Sequence, residues 1–392
     1  MQEKRIIPIS LVLFGVLLLL TITLNYLLSH HGLREAAKAA LSARDAPADP
    51  PATSQPVAVE SPVPEEPLPA LDPGPPPAAV WKASTRVFLE PVIDNPEIAM
   101  VPGDRIRICT YNIENFADGY HDGPKRTTDR QRRQAFFASE LIGKIDPDIL
   151  IIQEIENERA LRWLNEYCGE SFSVGYITSF ERNGQFVKLN LAVLSRFPIE
   201  QALEIDFGEL DFQNSPPRGL LRFTVELEES RRLLCYVMHL KSNWGDARKN
   251  RAKRFHAVAV LREDADRFIS DRASHAWEVL IAGDMNVDPE NERFKSDPSL
   301  EPLVDYADLW RGRPISERVT IPTRHGEPDF TFPPAAFDRV LVSQELTRIP
   351  WKITPLVSLQ EGVDTDDSQA EPGFYRRHVS DHYPVYVDIL RN

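Results

Sequence analysis

Cysteine is scarce, with Cys109, Cys168 and Cys235 the only three in 392 residues, and none stands in a CxxC or metal-ligand spacing. That excludes a disulfide scaffold and a thiolate metal centre, and it leaves at least one thiol unpaired. Cys109 and Cys235 fall inside strand-like runs and are expected as buried free thiols. A surplus of positive charge is also missing. The formal net charge is −14, and beyond the first hundred residues 38 basic side chains face 48 acidic ones, which leaves about −10. Such a chain does not coat nucleic acid by charge alone. An enzyme that grips a phosphate through a few groups and a cation stays open, because metal-binding carboxylates themselves make the polypeptide acidic. No internal repeat is visible.

Long apolar runs are absent except at the amino terminus. Ile6 to Leu28 (IIPISLVLFGVLLLLTITLNYLL) carries no charge, and as a helix at ~1.5 Å per residue it spans about 34 Å, enough to cross a bilayer. The competing reading is a cleaved signal peptide, for which Ala37, Lys38 and Ala39 supply a cleavage-like site, but its apolar region is usually only ~7–15 residues. Residues 1–30 are therefore expected as a single transmembrane anchor with a short basic start. Lys4 and Arg5 favour a cytoplasmic start, blunted by Arg34, Lys38 and Arg44. This places the protein in the cell membrane as a single-pass chain, with the catalytic part on the periplasmic or extracellular side. Residues 31–79 are rich in Pro, Ala and acid and read as an extended tether, while 80–104 are transitional.

After Asp104 strand-like and helix-like runs mix. Strands are predicted at Ile106–Ile113, Ile149–Gln153, Val187–Ser195, Leu220–Leu227, Leu233–His239, Val279–Ala282, Arg339–Val342 and Pro384–Leu390. Helices are predicted at Asp129–Lys144, Glu156–Tyr167 and Asp246–Ile269. Several strands are apolar on both faces, as strands covered on both sides must be, so a layered α/β sandwich over residues 105–392 is expected.

Polar residues recur where strands end. Asn112 and Glu114 follow the first run, Glu154 the second, His239 and Lys241 a third, and Asp284 and Asn286 a fourth. Asp338, Asp381 and His382 instead precede strands. Strand ends that face one way share a crevice, so these residues are candidates for one site. Singly each has a plain structural explanation, such as a turn, a helix cap or a core histidine. Jointly they hold what hydrolysis of a phosphate ester requires. Glu154 and Asp381, with Glu114, are hard oxygen ligands for a divalent cation. His382, oriented by a carboxylate such as Asp338, can take a proton from water. Asn112, Asn286 and His239 offer donors to phosphoryl charge.

In the order NIENF, QEIEN, RGL, HLKS, GDMNVDP, FDRVLVS and SDHYP, residues 105–392 resemble the endonuclease/exonuclease/phosphatase superfamily. The resemblance implies a four-layer α/β/β/α sandwich of the DNase I type. It also implies a Mg²⁺-dependent phosphoesterase, with Mn²⁺ as an alternative ion. Residue by residue it makes Glu154 the main metal carboxylate, Asp381 the aspartate beside the metal, and Glu114 a further ligand. His382 becomes the catalytic histidine and Asp338 its orienting partner. Asp284 and Asn286 position water and phosphate, Asn112 and Arg218 bind phosphate, and His239 donates to phosphate or leaving oxygen. Whether His382 or Asp284 is the base stays open.

The motif style is similar to bacterial secreted or surface nucleases, which implies nucleic acid as the substrate, DNA or RNA, and a monomeric catalytic domain. Arg248, Lys249, Arg251, Lys253 and Arg254 form a basic cluster that can track a nucleic-acid backbone or serve only as a solvated helix face. The alternatives are a phospholipase C of the sphingomyelinase type, a small phosphomonoester phosphatase, and an inactive envelope scaffold. Glu361, Asp364, Asp366, Asp367 and Glu371, followed by Arg376 and Arg377, form an acidic connection that is expected to repel long polyanions unless it folds away.

Overall fold

The computed structural model describes residues 84–391, apart from 183–184, 208–215, 273, 327–329, 349, 367–369 and 374–376. The expected membrane span at residues 6–28 and the tether lie outside the described residues, as do Asp367 and Arg376. Among the described residues no helix is long and apolar enough to cross a membrane.

The described residues open with strands β1 (Thr85–Phe88), β2 (Ile93–Asp94) and β3 (Arg105–Phe116), then helix α1 (Thr128–Ile145), β4 (Ile149–Ile155) and helix α2 (Glu158–Tyr167). Next come β5 (Val174–Ile177), the hairpin β6 (Glu181–Arg182) and β7 (Gln185–Phe186), β8 (Asn190–Ser195) and β9 (Gln201–Asp206). β10 (Leu220–Glu228) and β11 (Arg231–His239) lead into the long helix α3 (Ala247–Ser270). β12 (Ala276–Asp284), β13 (Ala307–Asp308) and the single turn α4 (Ile315–Arg318) precede a second hairpin, β14 (Arg324–Gly326) and β15 (Phe330–Phe332). β16 (Asp338–Val342), β17 (Trp351–Ile353), β18 (Val357–Ser358) and β19 (Val385–Arg391) complete the domain.

Two sheets form. One runs β1-β9-β10-β11-β12-β16-β13, and the other β17-β19-β3-β4-β8-β5-β2 with β18 also on β19. Their layering follows from apolar residues on both sides of each strand. In β3, Ile106 and Ile108 point into the core between the sheets, where Leu221, Phe223, Cys235 and Leu280 meet them, while Cys109 and Tyr111 point outward. The outward face is covered by Ala138 and Leu141 of α1 and by Leu161 and Leu164 of α2. On the other sheet Leu234, Tyr236 and Ile281 lie beneath Val258, Leu261 and Phe268 of α3. Alternation at period two thus builds helix, sheet, sheet and helix in sequence, the sandwich expected of the DNase I type. Cys109 and Cys235 are buried thiols as expected, and Cys168 is half-buried and free.

Boundaries differ where polar side chains intervene. The predicted helix at Glu156 starts instead at Glu158, because Asn157 caps it by accepting from the Ala160 N–H at 3.0 Å. The predicted strand from Val187 starts at Asn190. Residues 84–104 belong to both sheets: β1 extends one edge beside β9 and β2 extends the other beside β5. The described acids of the connection are matched by basic partners, since Glu361 pairs with Lys144, Glu371 with Lys125 at 2.7 Å, and Asp364 and Asp366 with Arg377.

Candidate active site

The pairing directions explain why some candidate residues follow strands and others precede them. β3 runs parallel to β4, and β11 parallel to β12, so Asn112, Glu154, His239 and Asp284 leave their strands at the same end of the two sheets. β16 and β19 run antiparallel to their neighbours, and their beginnings arrive there instead. Asp338 therefore lies opposite Asp284 in the ladder, and Asp381 and His382 lie just before β19. A cavity of about 850 Å³ opens at this end, lined by Glu154, His239, Asp284, Asn286, Asp381 and His382 among others.

Backbone conformation at the floor is unusual. Glu154 and Asn286 have φ of 64° and 52°, and Glu114 and Asn115 have 46° and 50°, all in the left-handed region that ordinary side chains avoid. The ladders of β3 with β4 and of β4 with β8 shift register at these points, which re-aims the side chains out of the sheet. Gly283 has φ 139°, and a Cβ there would lie 1.9 Å from the Met238 carbonyl oxygen, so the residue before Asp284 must be glycine.

The side chains interlock. The Asn112 amide donates to Glu154 Oε1 and to Asp284 Oδ2, each at 3.2 Å, while the Asn115 N–H donates to Glu154 Oε2 at 2.9 Å. The Asn286 amide donates to Asp284 Oδ2 at 2.8 Å, and its N–H to Oδ1 at 2.9 Å. His382 Nδ1 lies 2.6 Å from Asp338 Oδ2, and Nε2 on its other side is 3.9 Å from Asp284 Oδ2 and 3.8 Å from Asp381 Oδ1. His239 Nε2 is 3.4 Å from Asp284 Oδ2.

Electrostatics distinguish these groups. Burial pushes Asp284 up to about 7; Asp338 and Glu154 add repulsion that His382 only partly offsets. His382 is also buried, which opposes its charge, yet Asp338, then Asp381 and Asp284, hold its pKa well above the ordinary range. His239 is held well below that range by burial, with Arg218 and His382 adding to it, so it is neutral at pH 7. One imidazole is cationic and the other is not.

Three expected residues sit differently from their expected places. Glu114 does not line this cavity; it faces an adjoining one of about 430 Å³ with Asp122, Lys125 and Glu371, 3.3 Å from His378 Nε2. Burial, then repulsion from Asp381, raises Glu114 to about 7. Arg218 is buried, donates to the carbonyls of His239 and Leu240 at 3.2 and 3.1 Å, and does not line the cavity. Arg254 is buried as well, held by Asp297 at 2.6 Å, so the basic cluster divides into a structural arginine and an outward face with Arg248 and Lys249 exposed.

Other residues at the site were not predicted. Arg324, on β14, pairs with Asp381 Oδ2 at 2.6 Å, and nothing in its local sequence marks it. Ser380 donates its hydroxyl to the Asn112 carbonyl at 2.6 Å and so ties the loop before His382 to β3; its place in SDHYP was the available signal. Among the described residues, three acids whose oxygens all lie within 4.8 Å of one another are Asp118, Asp122 and Glu156, also unpredicted. Lys188 already supplies that trio with a cation, 2.9 Å from Glu156.

The donor set at the floor fits a divalent cation. Glu154, Asp284, Asp338, Asp381 and nearby Glu114 bring five carboxyl groups against His382 and Arg324, and burial, with repulsion from neighbouring acids added, raises Asp284 and Glu114 to about 7. Glu154 and Asp381 both line the cavity and would hold the ion.

A sandwich carrying these strand-end motifs defines a class of phosphoesterases, and residues 109–382 match the "Endonuclease/Exonuclease/phosphatase family". The chain belongs to that family. No curated protein matches it. Among solved structures it is similar to D. rerio TDP2 complexed with a single-strand DNA product, at 16% identity and TM-score 0.50, covering 73% of this chain and 99% of that one. It is similar also to TDP2 from Caenorhabditis elegans, at 16% identity and TM-score 0.50, over 76% of this chain and 77% of that one. These likenesses are of fold.

Proposed function

We propose that this protein is a metal-dependent phosphodiester hydrolase, a nuclease cleaving DNA or RNA by in-line attack of an activated water. The observation that carries the reading is the His382–Asp338 pair at 2.6 Å, facing Asp284 and Asp381 across one cavity. A Mg²⁺ or Mn²⁺ ion held by Glu154 and Asp381 would supply Lewis-acid stabilisation of the phosphoryl oxygens. Asp284, poised near 7, takes the proton of the attacking water as its oxygen bonds to phosphorus. The opposite P–O bond breaks and its electron pair leaves on the ester oxygen, which takes a proton from solvent water, and Asp284 returns its proton to solvent as the product leaves. His382, already charged, stabilises the phosphoryl oxygens and is not the base. Asn112 and Asn286 hold Asp284 in place, and neutral His239 offers a donor beside it.

The nucleic-acid substrate is supported by the exposed Arg248 and Lys249, and by the single-strand DNA product in the D. rerio relative of the same fold. Residues 6–28 are proposed as a single-pass anchor that leaves a monomeric catalytic domain on the periplasmic or extracellular side. Proteolysis of intact cells tests this, and protection of the domain from added protease excludes it.

The deciding assay offers the full chain plasmid DNA, RNA, sphingomyelin and bis-p-nitrophenyl phosphate with Mg²⁺, Mn²⁺ or EDTA. Metal-dependent cleavage of nucleic acid that Glu154→Ala abolishes supports the nuclease. Cleavage of sphingomyelin or of the dye alone moves the substrate away from nucleic acid, and no turnover of any substrate refutes the enzyme.

A further inference from the structure

The catalytic floor accounts for only part of the cavity wall. The rest is an aromatic and apolar rim, with Trp244 on one side and Phe332 on the β14–β15 hairpin, joined by Ile321 and Phe337. Trp244 is 83% exposed and Phe332 39%. Among the described residues no ring or cation stacks on the Trp244 indole. The indole is left open to solvent at the cavity wall.

Its backbone is pinned from below. The Trp244 carbonyl accepts from buried Asn250 at 2.9 Å and from Lys241 Nζ at 3.1 Å. The preceding Asn243 donates to the Asn286 carbonyl at 2.9 Å and accepts from buried Arg254 at 3.2 Å. The loop is thus fixed to Asn286 and to α3, and the ring stands at the mouth at little further entropic cost. Beyond it the exposed Arg248 and Lys249 open α3, and Arg293 lines the cavity. A flat π-face held beside a phosphate-ester site, with cations beyond, matches a nucleotide: base on the ring, phosphate on the floor, flanking backbone along the basic turn. A lipid surface would instead call for a broad exposed apolar face, whereas Ile321 and Phe337 are half-buried here and polar Ser242 and Asn243 interrupt the rim.

We propose that Trp244 is a base-stacking residue that gives this enzyme a preference for single-stranded nucleic acid, an inference that rests on the phosphodiesterase reading above. Bases inside a duplex are already stacked on one another and cannot lie on an indole without being unpaired. A single strand offers them freely, and each stacked base adds an interaction every sequence can make.

The test measures kcat/KM of the full chain and of Trp244→Ala and Trp244→Phe in Mg²⁺. The substrates are oligothymidylate, the same strand annealed to oligoadenylate, and bis-p-nitrophenyl phosphate. The expected result is about a tenfold fall for Trp244→Ala on the single strand, carried by KM, with a smaller change on the duplex and the dye and substantial rescue by Trp244→Phe. An equal fall on all three substrates makes Trp244 structural and overturns the inference, as does an unchanged single-strand rate. Loss of binding to sphingomyelin–phosphatidylcholine vesicles with oligothymidylate cleavage intact would mark the rim as a membrane contact and overturn it too. If the wild type cleaves the dye but neither nucleic acid, the nuclease reading falls first.

Discussion

Two buried charge clusters lie on either side of one strand, and they behave oppositely. Asp338 opens β16 and faces the catalytic floor, where carboxylates outnumber cations and Asp284 is driven up to about 7. Arg339, the next residue, points the other way and is fully buried, yet Asp308 at 2.5 Å, Glu290 at 2.9 Å and Asp288 at 3.4 Å surround it, with Arg318 completing the pairing. That second cluster sets two arginines against three acids, yet each acid is paired or hydrogen-bonded, and Arg339 holds Glu290 below its usual range against the pull of burial. The first is left short of positive charge. Both clusters carry surplus acid, so what distinguishes site from scaffold is a buried carboxylate raised to about 7 beside a cavity, against carboxylates fully paired with arginine.

The sharpest way to break the comparison is at the two neighbours themselves. Asp338→Asn or His382→Ala is expected to lower kcat by about 10²–10⁴ while the melting temperature stays within a few degrees, as activity assays and calorimetry would show. Arg339→Met should do the reverse. It leaves Asp308 without its arginine and Asp288 with Arg318 alone, and should cost about 3–5 kcal/mol in urea unfolding, with near-normal turnover of the fraction that remains folded.

A pH series on the metal-free protein sharpens the same point. Asp284 and Glu114 titrate near 7 in the fold but near ~4 in the unfolded chain, so between those values the folded state holds protons the unfolded chain has lost. The contribution of these two acids should therefore fall as pH rises from about 4 to about 7. His239, neutral in the fold, opposes that slope up to about 6.5, and His382, charged in the fold above its ordinary range, carries the fall beyond about 7. Asp284→Asn should flatten part of that slope and raise the melting temperature at pH 8, although it removes activity; an unchanged slope would refute the assignment. The smallest effect belongs to a matched pair in solvent. Lys144 and Glu361 are each about half exposed, and Glu361→Gln should change unfolding free energy by less than about 1 kcal/mol.

Much of the floor was legible because its chemistry is local. GDMN, QEIEN and SDHYP each place a reactive group at a strand end, and period-two alternation located most strands of the core. Short elements escaped. β1 and β2 have only four and two residues, too few for a period to show, and their role at opposite sheet edges depends on partners far along the chain. Arg324 escaped for a related reason: its meaning comes from Asp381, 57 residues away. The basic run after Trp244 misled in part, because charge alone cannot tell that Arg254 turns inward to Asp297 while Arg248 faces water.

The sequence by itself determined the class of chemistry, since carboxylates, histidines and asparagines at strand ends suit phosphate hydrolysis however the loops are drawn. Tertiary structure decided which of those groups share a cavity, which histidine is charged, that Glu114 faces an adjoining cavity, and that Trp244 stands at the mouth. The reason is physical. A residue's chemical type is carried by the chain, but its pKa, its partners and its exposure are set by neighbours that only folding brings within a few ångströms.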